Sequence, residues 1–292
     1  MDAQLPTESR GVPDAPGADE ANGTDALTEA VARAAGEPAR TRIPREHLVA
    51  LAGEAPLLRI EGLHAGYGPM EILHGIDLHL GAGQSLCLIG PNGAGKSTVL
   101  HSIFGMTDIR GGRIVVGDRD VTSLDADAKL RDAGIAYVLQ DSSVFPDLTV
   151  EQNLRLGGYL MRRGADAKAA AERILDRYPR LAARRREPAR VLSGGERRLL
   201  EISRALMMDP RLLLVDEPSI GLEPRYVDMV FDMLRDLQRS AGKSILLVEQ
   251  NARKGLEFAD LGYVLVAGQI AMAGTGRELL RDRAVGRLFL GE

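Results

Sequence analysis

A chain of 292 residues with 45% hydrophobic content can build one α/β domain of about 230 residues with a full core, or two small ones. The formal charge of −4 is unevenly spread: residues 1–56 carry 5 Lys+Arg against 10 Asp+Glu, which leaves 32 against 31 for the remainder. That near-neutral body excludes the basic footprint of a nucleic-acid binder, and no apolar run approaches the roughly 20 residues of a transmembrane helix.

The only cysteine, Cys87, lies in the apolar run Ser85-Leu86-Cys87-Leu88-Ile89, so it reads as a small core residue in a reducing compartment. The N-terminus has no basic segment followed by an apolar one, so a signal peptide is not expected and a cytoplasmic location is.

Residues 1–56 hold 6 of the 14 prolines and no aromatic residue, a composition too poor in apolar surface to offset chain entropy. They are expected to form a disordered acidic tail, with a short marginal helix over Asp25 to Ala35 capped by Thr24 and stopped by Gly36. The folded domain is placed at 57–292. Leu57 to Glu61 and Ile76 to Leu80 alternate apolar with polar residues as antiparallel strands do. The run 85–89 leads into a glycine-rich turn and a helix from Thr98 to Phe104, while the runs 211–216 and 244–249 each follow a helical segment. This is βαβ texture with a mostly parallel sheet. A strand-poor helical insert, with Ala167 to Arg177 at its centre, spans about 141–192.

Gly90-Pro91-Asn92-Gly93-Ala94-Gly95-Lys96-Ser97 matches the P-loop pattern between a strand and a helix, with Thr98 opening the helix beside it. Its glycines let backbone N–H groups turn inward around phosphate oxygens. Lys96 would reach the β- and γ-phosphates and Ser97 would ligate Mg²⁺. Arg211 to Val215 read as a buried strand whose end presents two carboxylates: Asp216 to hold the metal and Glu217 to polarise the attacking water. The helix after residue 193 buries Leu199, Ile202 and Leu206 on one face, which assigns Arg197 and Arg198 to solvent or an interface. The basic run Arg184-Arg185-Arg186, with Arg180 and Arg190 nearby, reads as a solvated face or partner contact, since no aromatics interleave it.

Leu192-Ser193-Gly194-Gly195-Glu196, 20 residues before Asp216, completes a set that resembles the ABC ATPases. The resemblance covers residues 57–292 and implies an ABC-type P-loop NTPase, α/β with a mostly parallel core, an antiparallel β subdomain and a helical insert. It implies that Ser193, Gly194, Gly195 and Glu196 cradle the γ-phosphate of ATP bound by a partner cassette, so one chain cannot complete a site. It further implies that Tyr67 stacks on adenine, that Gln140 touches Mg²⁺ and water while its loop, Asp141 to Leu148, meets a membrane permease, and that Gln250 takes the switch position where the wider family has histidine. Glu223 likewise replaces the family's D-loop aspartate.

Val248-Glu249-Gln250-Asn251, Ser219 to Pro224 and the closing Leu288 to Glu292 are similar to the LivF-like subunits of the branched-chain (hydrophobic) amino-acid uptake family. That implies an ATP-hydrolysing importer subunit held on the inner face of the membrane by permease chains, with a second cassette and, indirectly, an external solute-binding protein. Urea and amide importers share much of the pattern. A soluble ABC ATPase acting on DNA or ribosomes would bring tandem cassettes, a long coiled-coil insert or a basic face, and a cassette that binds ATP without turnover would lack some of Lys96, Ser97, Asp216 and Glu217.

Overall fold

The computed structural model describes residues 44–140 and 143–291. Expectations for residues 1–43, including the helix over 25–35, lie outside the described residues, as do Asp141, Ser142 and Glu292.

Two sheets carry the fold. Strands β1 (Leu58–Tyr67), β2 (Met70–Leu80), β4 (Asp108–Val116) and β5 (Arg119–Asp120) form an antiparallel sheet ordered β2-β1-β4-β5. The second sheet, ordered β10-β9-β3-β8-β7-β6, comprises β3 (Ser85–Ile89), β6 (Ile135–Val138), β7 (Leu212–Asp216), β8 (Ser244–Val248), β9 (Leu261–Val266) and β10 (Gln269–Thr275). Its pairs are parallel except for the β9–β10 hairpin.

The central strands are apolar throughout because both faces are covered. Cys87 and Ile89 point into one core, together with Leu213, Val215, Ile245 and Leu247. Their neighbours Leu86 and Leu88 point into the other, with Leu212, Leu214, Leu246 and Val248. The first core is closed by helices from the chain's second half, and the second by the antiparallel sheet and the helix that follows the P-loop. Residues 150–191 contain helices and no strand: Val150–Gly157, Gly164–Arg177 and Pro179–Ala183, then a 3₁₀ turn at Ala189–Val191.

One expectation fails here. Residues Arg45–Ala52, assigned to the tail, form helix α1, with Leu48 and Ala52 buried. Leu48, Leu51 and Ala52 recur at the i, i+3, i+4 spacing of a single stripe, which packs against β2 and β10. Two polar contacts fix it: His47 Nε2 donates to the Ala273 carbonyl at 2.8 Å, and Gln84 Nε2 donates to the Leu51 carbonyl at 3.2 Å. A composition averaged over 56 residues conceals a stripe only two turns long.

Candidate active site

The parallel strands β3, β6, β7 and β8 point their carboxyl ends at one crevice, the place where such sheets bind ligands. The P-loop leaves β3 there. Gly90 adopts φ 155°, and a Cβ at that position would lie 2.1 Å from the Leu265 carbonyl oxygen, so only glycine fits. Helix α2 (Lys96–Phe104) begins without a side-chain cap, which leaves its first N–H groups free for an anion. Lys96 folds back and donates to the carbonyls of Gly90 and Pro91, both at 2.9 Å. Burial draws its ammonium below the usual lysine range, and the carboxylates of Glu217 and Asp216 partly oppose that.

Strand β7 delivers the carboxylates. Asp216, buried, accepts from Ser97 Oγ at 3.2 Å on one oxygen and from the Tyr137 hydroxyl at 3.0 Å on the other. Glu217 stands at φ 42°, in the left-handed region that non-glycine residues rarely occupy. Its N–H donates to the Val248 carbonyl at 2.9 Å, and its Oε2 accepts from Gln140 Nε2 at 3.1 Å. Burial raises the Glu217 carboxyl, the Asp216 charge adds to this, and Lys96 opposes it.

Around these groups lies a cleft of about 510 Å³ lined by Asn92, Gly93, Gly95, Lys96, Ser97, Thr98, Gln140, Glu217 and Gln250, with Ile72 and Ile220 as apolar walls. Most of the expected residues therefore meet in one place. Gly90, Pro91 and Ala94 form the back of the same loop. Tyr67 does not line the cleft: 39% exposed, its hydroxyl is engaged with His101 Nδ1. Ser193, Gly194, Gly195 and Glu196 do not line it either. Ser193 caps helix α7 (Gly194–Ala205), where its N–H donates to Glu196 Oε2 at 2.9 Å and its Oγ accepts from the Glu196 N–H at 3.3 Å. The other Glu196 oxygen accepts from Arg184 Nε at 3.0 Å, so this side chain is committed to the cap.

The reading of one charged residue changes. Arg198 does not face solvent: it is 6% exposed and its guanidinium donates to backbone carbonyls of Leu139 and Asp216. Its aliphatic stem packs along the buried face of α7 while the charged head finds partners across the fold. The basic run stays on the surface, as a solvated face would, and much of its charge is paired. Arg184 pairs with Glu187 and Glu196, Arg185 with Glu151 and Glu172, and Arg190 with Asp147. Tyr137 and Ile72 also went unassigned. Tyr137 had a signal: it is the polar-tipped residue of a short apolar strand, Ile135-Ala136-Tyr137-Val138, running to the crevice.

A P-loop, a carboxylate pair at the carboxyl end of β7 and a capped signature helix on one two-sheet scaffold define a nucleotide-hydrolysing cassette. Residues 73–220 match the ABC transporter family. The chain is 37% identical over 235 residues, 80% of its length and 99% of the relative's, to a probable branched-chain amino acid transport ATP-binding protein, LivF, of Archaeoglobus fulgidus. It is 38% identical to the high-affinity branched-chain amino acid transport ATP-binding protein BraG of Pseudomonas aeruginosa, over 80% of this chain and all of that one. A solved ADP conformation of an ATP-binding cassette of an ABC transporter superposes with TM-score 0.72 at 28% identity, over 81% of this chain and 99% of that one. This chain belongs to the ABC transporter ATP-binding family: it is a nucleotide-binding ATPase cassette. Among the described residues no helix is long and apolar enough to cross a membrane.

Proposed function

We propose that the chain hydrolyses ATP to drive an importer for branched-chain or other hydrophobic amino acids. It would do so as one half of a cassette dimer, attached peripherally to permease subunits on the inner face of the membrane. The observation that carries this reading is the Glu217 carboxylate, held against the Gln140 amide in a cleft shared with Lys96, Ser97 and Gln250. The names of the two relatives support the class of solute.

In this reading the P-loop N–H groups and the α2 dipole bind the phosphates, and Lys96 turns from the Gly90 and Pro91 carbonyls to the β- and γ-phosphates. The Ser97 hydroxyl, the Asp216 carboxylate and the Gln140 amide oxygen are hard oxygen donors, and the first two already lie 3.2 Å apart. They fit a small divalent cation such as Mg²⁺, which supplies charge neutralisation on the phosphates. Glu217 takes the proton of the attacking water, a role that its raised carboxyl and its contact with Gln140 both suit. Gln250 donates its amide to a γ-phosphate oxygen. Tyr67 turns onto adenine. The Ser193 end of α7 serves the nucleotide bound by the partner cassette, with Gly194 and Gly195 lending backbone N–H groups, and dimer closure moves the permease.

The test is Glu217→Gln in the assembled complex. Turnover should fall on the order of a hundredfold or more while ATP binding persists, and an ATP-bound dimer should accumulate on size exclusion. Wild-type turnover in the variant would sink the base assignment. Vesicles containing the complex should take up leucine or valine in an ATP-dependent manner, and uptake of urea or amides alone would redirect the solute reading.

A further inference from the structure

In the proposed dimer the two nucleotide sites use different parts of each chain: the Glu217 cleft serves the chain's own ATP, and the Ser193 helix serves the partner's. Something within the chain must tie these parts together, and one buried ion pair touches all of the relevant pieces. Arg198 lies one turn into α7, with its side chain 6% exposed, and its Glu201 partner is 4% exposed. Arg198 Nη1 donates to Glu201 Oε2 and to the Leu139 carbonyl, both at 2.8 Å, and Nη2 donates to the Asp216 carbonyl at 2.9 Å. Glu201 Oε1 in turn accepts from the Ser143 N–H at 3.2 Å.

Each acceptor has a position that matters. The Asp216 carbonyl belongs to the peptide joining Asp216 to Glu217. That peptide is gripped on both sides, its oxygen by Arg198 and its N–H by the Val248 carbonyl at 2.9 Å. A peptide plane fixed from both edges can hold Glu217 at φ 42°, where an unsupported residue would relax. Leu139 and Ser143 flank Gln140, so the same pair also pins the loop that presents the Gln140 amide to Glu217. A planar guanidinium reaches these divergent acceptors from two fixed nitrogens, a geometry that the single nitrogen of an ammonium does not reproduce.

We infer that Arg198, with Glu201, is a positioning residue that sets the Asp216–Glu217 peptide and the Gln140 loop relative to the signature helix, so that a helix seated on the partner's ATP aligns the base at its own site. The inference rests on the Glu217 reading above, and Arg198 itself touches no substrate. Burying this pair has a desolvation cost that a structural role alone does not explain, since an apolar pair of similar volume can replace such a bridge without loss of fold.

The test compares Arg198→Met/Glu201→Leu, which removes both charges together, and Arg198→Lys, which keeps Glu201 paired, with wild type and Glu217→Gln, all as full chains in the assembled complex. The double variant should keep its melting temperature and its KM for ATP within about twofold yet lose kcat by roughly 30- to 100-fold, the penalty of a misaligned catalytic group. Arg198→Lys should lose about tenfold in kcat with unchanged KM. Added to Glu217→Gln, the double change should cost much less in single-turnover rate than it does in wild type, because it acts mainly through that carboxylate. Wild-type kcat in both Arg198 variants overturns the inference, and so does a full further loss on the Glu217→Gln background. Loss in Glu217→Gln with none in the Arg198 variants defeats this inference alone, whereas no loss in Glu217→Gln defeats the base assignment beneath it.

Discussion

Lys129 is fully buried, and its ammonium donates to the Ser102 carbonyl at 3.2 Å near the end of α2. Burial pulls its pKa down to about 8, against about 10.4 in an unfolded chain. A group whose folded pKa is depressed contributes stability present above the unfolded value and lost as pH falls through the folded one. The wild-type chain should therefore gain stability as pH rises from about 8 towards 10.4, and Lys129→Met should lack that gain. At pH 7 the methionine variant should be more stable by about 2 kcal/mol, the relief of desolvation less one orphaned carbonyl, measurable by urea unfolding. Gln250 is the other residue with a clear expectation. Its amide can position but cannot titrate, so Gln250→Ala should lower turnover about tenfold or more, while Gln250→His should restore it and add an inflection near pH ~6.5 to the rate profile. The place of Glu217 was legible because it ends an apolar strand beside the P-loop, while that of Gln250 was implied by the family resemblance; both line the cleft. The place of Arg198 was not legible: its acceptors at Leu139 and Asp216 lie 59 and 18 residues away, and nothing in a local pattern of charges on a helix announces them.

At the scale of single elements, α1 bridges the two sheets by touching β2 and β10. A chain beginning at residue 54 loses the buried Leu48 and the His47 and Gln84 contacts, and should be less stable than one beginning at residue 44 by about 2–4 kcal/mol. Leu48→Ala should account for most of that loss, and equal urea midpoints for the two truncated chains would show that α1 merely rests on the surface. The strands β3, β7 and β8 were readable because burial on both faces demands unbroken apolar runs, and β1 because its second face is less buried; in β2 the alternating polar residues Asp77 and His79 are themselves buried. Helix α1 depends on three side chains meeting a surface assembled from residues far along the chain, which local composition cannot report.

For the whole molecule, the proposed dimer, with the Ser193 helix outside the Lys96 cleft, predicts second-order behaviour. If two cassettes are needed per site, ATPase activity per chain should rise with protein concentration in solution and become concentration-independent once the permease holds the cassettes together. A rate per chain that stays constant on dilution of the isolated protein to well below the dimer's dissociation constant would mean that one chain suffices. The single cysteine offers a direct way to watch this assembly. Cys87 is buried in the middle of β3, and burial raises its thiol far above the range where a reactive thiolate forms. The native chain is thus nearly silent to thiol reagents, and any cysteine placed by design will be the one that reacts. Pairing Ser193→Cys on one cassette with Asn92→Cys on the other gives a readout with no background to subtract: nucleotide should promote a covalent dimer, and its absence should leave both thiols free to take a probe.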